Sequence, residues 1–323
     1  MADERKLITI SVPVYNEEAN VRPLVKALQG FTESEPGYRF EFLFTDNAST
    51  DQTFEILSEL ALSEPRIRVL RFSRNFGFQR SILTNFREAL GDAAVQIDAD
   101  LQDPPEMISA FLRQWERGYK VVYGVRQHRV ESKAMRGWRK FGYRVIAALS
   151  DVPVPLDAGD FRLIDRVIID HLSKIDDRTP YLRGLIAGLG YPQMGLPYSR
   201  RERSAGVSKF GFWSLLRLGF DGICSQSTKL LQYITVFSVV IVFLALIMAI
   251  IYLAMSFTTS SGLPAGFVTL ALLNLTGIGL NALFLGILGE YIGRTYNNVR
   301  GLPLTIIERR VQNVEFQSTE IIR

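Results

Sequence analysis

The sequence predicts an α/β domain on a mostly parallel, Rossmann-like sheet, followed by a C-terminal two-helix transmembrane hairpin. Three observations carry this. Strand and helix signals alternate through the first 125 residues. Polar clusters fall where the predicted strands end. From Leu230 to Gly289, 60 residues pass without one Asp, Glu, Lys or Arg.

LITISVPVYN is a β-branched run ending in a Pro-Asn turn. Val21, Leu24, Val25 and Leu28 then recur at helical spacing over residues 18–30. FEFLFTDNAS reads as a buried strand opening into a polar loop, residues 51–62 as a helix and IRVLRF as a third strand. Over residues 78–90, Ile82, Phe86 and Ala89 share a helical face, and Gly91 is the expected stop. AAVQIDADLQ predicts a fourth strand ending in acids. Pro104 and Pro105 open a helix through Trp115, Gly118 stops it, and KVVYGV is a fifth strand. Repeated β-α units imply a parallel sheet with both faces covered. Such sheets bind ligands outside the carboxyl ends of their strands. Tyr15-Asn16-Glu17, Asp46-Asn47, Arg74-Asn75 and Asp98–Asp100 lie at those ends.

Residues 230–257 and about 263–289 are each long enough to cross a ~30 Å hydrocarbon layer as a helix. Basic residues flank both: Arg217 and Lys229 before, Arg294, Arg300, Arg309 and Arg310 after. The positive-inside rule places both flanks, and so the α/β domain, in the cytoplasm. The expected organisation is a cytoplasmic α/β domain over 1–205, an amphipathic interfacial segment over 206–229, the hairpin over 230–293 and a cytoplasmic tail over 294–323. An integral membrane protein follows. Net charge is +4, from 37 Lys and Arg against 33 Asp and Glu. That excess suits anionic lipid or phosphorylated ligands beside a membrane anchor. A nucleic-acid partner has no supporting motif, and none is expected. One cysteine, Cys224, allows no internal disulfide, and two histidines, His128 and His171, make no His-rich metal site.

Asp98-Ala99-Asp100 ends a hydrophobic run. Two carboxylates at i and i+2 of a strand share a face and can be aimed at one cation. Hard oxygen ligands suit Mg²⁺ or Mn²⁺, which bind few carboxylates and complete their shell with substrate phosphates. Alone the motif reads more readily as a solvated loop or a helix cap than as a metal site.

The residues around it are more specific. Asp98-Ala99-Asp100-Leu101-Gln102-Asp103-Pro104-Pro105-Glu106 resembles the signature of polyprenyl-phosphate glycosyltransferases of glycosyltransferase family 2. These include dolichol-phosphate mannose synthases and bactoprenol glucosyltransferases. Pro13-Val14-Tyr15-Asn16-Glu17-Glu18 resembles the family's first nucleotide-binding strand. Asp46-Asn47-Ala48-Ser49-Thr50-Asp51 resembles its Asp-Asp-Gly-Ser-x-Asp loop, with Asn47 and Ala48 as departures. Ser73–Gly77, Gly159–Leu163, Arg203–Phe210 and Gly289–Arg294 are similar to further family segments.

The resemblance implies a GT-A fold, a nucleoside diphosphate sugar and inversion at the anomeric carbon. Pro13, Tyr15, Glu17, Asp46 and Asp98 are then the expected nucleotide-sugar contacts. Asp98, Asp100 and Gln102 are the expected metal ligands for Mg²⁺ or Mn²⁺. Asp51 is as readily a helix cap. The implied acceptor is a polyprenyl phosphate lipid, with Arg203 and Lys209 as its phosphate binders and Arg200 and Arg201 read as surface charge. Asp157, Asp160 and Arg162 are the catalytic candidates; either acid is a candidate base or an orienter of Arg162. UDP-glucose is the favoured donor, ahead of mannose, aminoarabinose or N-acetylhexosamine donors. A homo-oligomer is expected, with the tail after residue 302 pairing to a neighbouring subunit. A processive synthase is disfavoured because the chain has no Arg-Trp dipeptide. A non-catalytic scaffold is disfavoured because the acidic and basic motifs are intact.

The topology has a direct check. A cysteine placed at Ser260 should react with an impermeant thiol reagent added to sealed cells, and one at Ser318 should not. Labelling at Ser318 would reverse the arrangement.

Overall fold

The computed structural model describes residues 4–127, 158–200, scattered positions between 231 and 247, and 265–313. The expected strands and helices form where the hydrophobic pattern puts them. β1 is Leu7–Val14, α1 Glu18–Glu33, β2 Arg39–Asp46, α2 Thr53–Ser63, β3 Ile67–Phe72 and α3 Phe78–Glu88. β4 is Ala93–Gln96, α4 Met107–Glu116 and β5 Val121–Gln127. Beyond them lie β6 Ala158–Asp165, α5 Arg166–Lys174, α6 Leu182–Gly188, β7 Gln193–Ser199, α7 Ala265–Val299 and β8 Ile307–Gln312.

The eight strands make one sheet in the order β7-β5-β6-β4-β1-β2-β3-β8. β4, β1, β2 and β3 pair in parallel, as do β5 and β7, while β6 and β8 run antiparallel to their neighbours. The path steps outward from β1 through β2 to β3, then returns to the other side of β1 as β4. That reversal opens a crevice between the carboxyl ends of β1 and β4.

β1 is buried on both faces, with Ile8, Ile10 and Val12 inaccessible and Thr9 and Ser11 equally so. This is the signature of a sheet covered on both sides. One face packs against α1, α2 and α4 through Leu24, Leu28, Leu57, Phe111 and Trp115. The other packs against α3, α5 and α6 through Ile82, Phe86, Ile168 and Ile186. Each fully buried aliphatic or aromatic side chain contributes about 1.5–3 kcal/mol of transfer free energy. Pro13 lies past the last β1–β4 pair, Ser11↔Gln96, so its missing N–H breaks no bond of that ladder.

Three expectations change. The acidic motif is not on a strand. β4 stops at Gln96, Ile97 N–H makes one more bond to Ser11 O, and the chain turns. Leu101 takes φ 56°, an uncommon value for a side chain that size, and it is this bend that aims the motif. Leu101 packs against the core, which anchors the bend.

Second, the tail rejoins its own chain. β8 pairs antiparallel with β3, and Arg310 grips Glu88 with two bonds of 2.6 and 2.8 Å. Leu304 is buried, and Asn298 Oδ1 near the end of α7 accepts from Arg178 N–H at 3.0 Å. The catalytic sheet therefore extends beyond residue 205, and the outer edge of β3 is filled within the chain rather than by a neighbour.

Third, one helix among the described residues is long and apolar enough to cross a membrane: Thr276–Val299, the later part of α7. It overlaps the second expected span and runs past it, with Arg294 paired to Glu290 at 2.9 Å. The expected first span, 230–257, and the interfacial segment, 206–229, lie outside the described residues apart from scattered helical positions. One of those, Phe237, meets Phe284 of α7 edge-on at 6.3 Å.

Gly91 does more than stop α3. A Cβ there would sit 2.7 Å from Ala93 O, 2.7 Å from Thr9 N and 2.8 Å from Leu7 O, all backbone atoms of adjoining strands. Gly91→Ala should destabilise the protein by about 2–3 kcal/mol, because backbone cannot yield as a side-chain tip can. Thermal melting of the purified variant is the check, and an unchanged midpoint would refute the close-approach reading.

Candidate active site

The loops after β1, β2 and β3 are tied to one another before any ligand is considered. Asn16 adopts φ 55°, and its N–H donates to Ser49 Oγ at 2.9 Å. Its side-chain oxygen accepts from Thr50 N–H at 2.9 Å. Asn47 bridges to the third loop: its Nδ2 donates to Asn75 Oδ1 at 2.9 Å, and its Oδ1 accepts from Phe76 N–H at 2.8 Å. An aspartate at position 47 could not make the first of these bonds. Asp51 accepts from Thr53 N–H at 3.0 Å and so braces the start of α2.

Asp46, at the end of β2, is fully buried. Its Oδ1 accepts from Ser49 N–H at 3.0 Å, while Oδ2 makes no hydrogen bond and faces Arg71 Nε at 3.8 Å. Burial pushes this carboxyl above its ordinary range, opposed by the Ser49 bonds and the Arg71 charge. Tyr15 is exposed at the end of β1. The Glu17 carboxylate accepts from Asn20 Nδ2 at 2.6 Å, so part of its capacity is spent within α1.

At the crevice, Asp98, Asp100 and Asp103 surround one guanidinium. Arg200 Nε lies 3.2 Å from Asp103, and its terminal nitrogen lies 3.5 Å from Asp98 and 3.9 Å from Asp100. Asp103 also accepts from the Tyr198 hydroxyl at 2.5 Å. Tyr198 and Arg200 reach the same acid because they are two apart at the end of β7. Gly124 makes room for this ring; a Cβ there would be 2.6 Å from Tyr198 Cε1. Arg126 Nε donates to the Tyr198 hydroxyl at 3.4 Å. Gln102 N–H donates to Asp100 Oδ1 at 3.2 Å, which fixes the turn. Burial, then the charges of Asp103, Asp160 and Asp100, push the Asp98 carboxyl up to about 7 against the pull of Arg200.

Asp160 and Arg162, two apart on β6, form a second cluster. Arg183 from α6 clasps Asp160 with two bonds of 3.0 and 2.9 Å, and Gln79 Nε2 lies 3.5 Å away. Arg162 is buried, donates to Gly159 O at 2.8 Å and sits 3.9 Å from Asp160. Burial alone would raise the Asp160 carboxyl, but Arg183 and then Arg162 outweigh it and hold the group at about 2. A carboxylate of that acidity is a weak proton acceptor near neutral pH. Of the two candidate bases, Asp160 is therefore built as a fixed anion. Asp157, Arg203 and Lys209 lie outside the described residues.

The donor set can be weighed against the expected ion. Among the described residues no group of three or more His, Cys, Asp or Glu side chains is arranged to cage a metal. Mg²⁺ and Mn²⁺ bound with a nucleotide need fewer protein ligands, typically one or two carboxylates plus phosphate oxygens. Asp98 and Asp100, hard oxygen donors at the crevice mouth, fit that role.

Residues 9–173 match the model of the family described as Glycosyl transferase family 2. The chain belongs to that family. It is a glycosyltransferase. It is 36% identical, over 93% of each chain, to a Bacillus subtilis (strain 168) protein named "Uncharacterized glycosyltransferase YkcC". It is 33% identical to the Shigella flexneri "SfII prophage-derived bactoprenol glucosyl transferase", covering 94% of this chain and 97% of the relative. Among solved structures, it resembles the mannosyltransferase PcManGT from Pyrobaculum calidifontis in complex with GDP-Man and Mn2+. That likeness has a TM-score of 0.48 and 20% identity, over 91% of this chain and 85% of that one.

Several site residues of this glycosyltransferase are missed by sequence reasoning. Arg200 reads as surface charge, Arg126 is legible only as the first residue of a basic stretch over 126–144, and Tyr198, Arg183 and Gln79 carry no local signal, because each meets the site across more than 20 residues. Asp103 is readable only as part of the acidic signature.

Removing the clasp should be visible in the pH dependence. The Asp160 carboxylate is favoured by Arg183, so in wild type its charge persists down to about pH 2. Arg183→Gln raises that pKa, and the charge is then lost at higher pH as solutions are acidified. The variant should lose transfer on the acid side of a profile taken from about pH 5 to 8, where wild type shows no limb from this group. An unshifted acid limb would contradict the assignment.

Proposed function

We propose that this glycosyltransferase moves a hexose from a nucleoside diphosphate sugar, with UDP-glucose favoured, to a polyprenyl phosphate at the cytoplasmic face of a bacterial membrane. The observation that carries this reading is the near full-length similarity to bactoprenol glucosyl transferases. An acidic crevice on a chain that also carries a membrane-length apolar helix supports it.

The chemistry follows from charge. An oxygen of the acceptor phosphate attacks the anomeric carbon, the bond from that carbon to the diphosphate breaks, and the configuration inverts. The electron pair leaves with the nucleoside diphosphate. The second pKa of a phosphate monoester is near ~6, so the nucleophile is mostly dianionic at neutral pH and needs no strong base. Asp160, held as an anion, suits orienting Arg162 or accepting a sugar hydroxyl better than taking a proton. Positioning and charge screening are then the enzyme's main tasks. Asp46, Tyr15, Glu17 and Pro13, at the ends of β1 and β2, are the proposed nucleoside contacts. Asp98 and Asp100, with Gln102 in the same turn, are the proposed holders of Mg²⁺ or Mn²⁺. That ion, when bound, neutralises the diphosphate leaving group. Arg203 and Lys209, from their place in sequence just before the membrane segments, are the proposed partners of the lipid phosphate. A homo-oligomer is compatible with this reading and is not required by it.

Asp100→Ala should lower transfer from UDP-glucose to undecaprenyl phosphate by about a hundredfold or more, as expected for loss of a ligand to the leaving-group cation. Excess chelator should silence the wild type, and Mg²⁺ or Mn²⁺ should restore it. Full transfer in chelator, or release of nucleotide that ignores the lipid, would refute the proposal.

A further inference from the structure

Arg200 is not accounted for by the donor chemistry, yet it occupies the centre of the acidic motif. One side chain touches three carboxylates that lie on a single turn, and each of those acids repels the others. Arg200 is 26% exposed and the Asp98 side chain 28%, so both stand at the mouth, with Asp100 at 8% behind them. Asp103, at 1% exposure, lies deepest and holds the shortest contact.

We propose that Arg200 is the resident counter-cation of the acidic motif, which a divalent ion arriving with the donor diphosphate must displace. This rests on the metal-dependent donor site proposed above. Two cations cannot share the space between Asp98 and Asp100, so metal without nucleotide competes with Arg200 at a disadvantage. The donor tips the balance because its phosphates add ligands to the ion and offer the guanidinium a new anion. The geometry permits the exchange at low cost. Arg200 is anchored by Asp103, which Tyr198 also holds, and a pivot about that contact releases Asp98 and Asp100 without leaving the arginine unpaired in a half-buried site. Arg200 is thus a positioning residue: it keeps the turn at 98–103 assembled while no donor is present and couples metal binding to donor binding.

The test is Mn²⁺ binding to the purified full-length protein, followed by electron paramagnetic resonance with and without UDP. Wild type should bind Mn²⁺ weakly alone and more tightly with UDP. Arg200→Gln should bind Mn²⁺ alone about tenfold more tightly than wild type, since a competing charge about 4 Å from the ligands is gone. The added gain from UDP should shrink correspondingly. Arg200→Lys keeps the charge but not the planar fork and should lie between the two. A melting series guards against misfolding: Arg200→Gln should melt lower than wild type in chelator and recover with Mn²⁺. Equal or weaker Mn²⁺ binding by Arg200→Gln in the absence of UDP would overturn the inference while leaving the donor site intact. Failure of wild type to bind Mn²⁺ even with UDP would overturn both.

Discussion

Four carboxylates, Asp98, Asp100, Asp103 and Asp160, meet at the carboxyl edge of one sheet, and their mutual repulsion sets the terms for everything built around them. Left unbalanced, that many anions in a half-buried crevice would protonate or push the loops apart. The fold answers with fixed cations. Arg200 serves the three acids after β4, and Arg183 and Arg162 serve Asp160. The two solutions differ in kind. Asp160 is clasped by a bidentate guanidinium and sits as a permanent anion. Asp98 is only loosely engaged at 3.5 Å and stays near the balance point between its charged and neutral forms. One cluster is closed and the other is open to a stronger cation.

The parallel sheet makes this convergence possible. Its order returns from β3 to β4 across β1, so loops far apart in sequence open onto the same crevice. The loops after β1, β2 and β3 are cross-tied by Asn16, Ser49, Asn47 and Asn75. Below them, the Glu41 carboxylate lies buried between strands, bonded to Thr9 and to Arg68 at 3.0 Å. Unpairing a buried charge of that kind costs about 3–5 kcal/mol, so this network pins β1, β2 and β3 together opposite the crevice. The chain leaving α7 then re-enters the sheet as β8 and clips to Glu88 of α3. The long apolar helix α7 and the sheet are thereby joined on both sides of a short connection. That limits how far the crevice can swing from the helix end.

Much of this was legible in the sequence, for identifiable reasons. The hydrophobic periods of β1, α1 and β3 placed those elements within a few residues, because local pattern and burial agree there. Asp98 and Asp100 were readable as a pair because their spacing is local. The geometry behind the pair was not: a strand was expected to aim them, and Leu101 in a left-handed bend does so instead. Strands β6, β7 and β8 gave weak local signals, since their identity depends on which edge is open for pairing. Arg200, Tyr198 and Arg183 were missed because an isolated charged or phenolic side chain reads alike whether it faces solvent or an acid brought in from elsewhere. Gly91 was read as a helix terminator when backbone crowding is what demands it.

The open acidic cluster is the proposed receiver of the donor diphosphate with its ion. Diffraction from the full-length protein crystallised with UDP and Mn²⁺, using the manganese anomalous signal, tests it most directly. An anomalous peak is expected within coordination distance of Asp98 or Asp100 and of a diphosphate oxygen, with the nucleoside over the ends of β1 and β2. A UDP bound elsewhere on the chain, or bound in this crevice with no anomalous peak beside the acids, would contradict it.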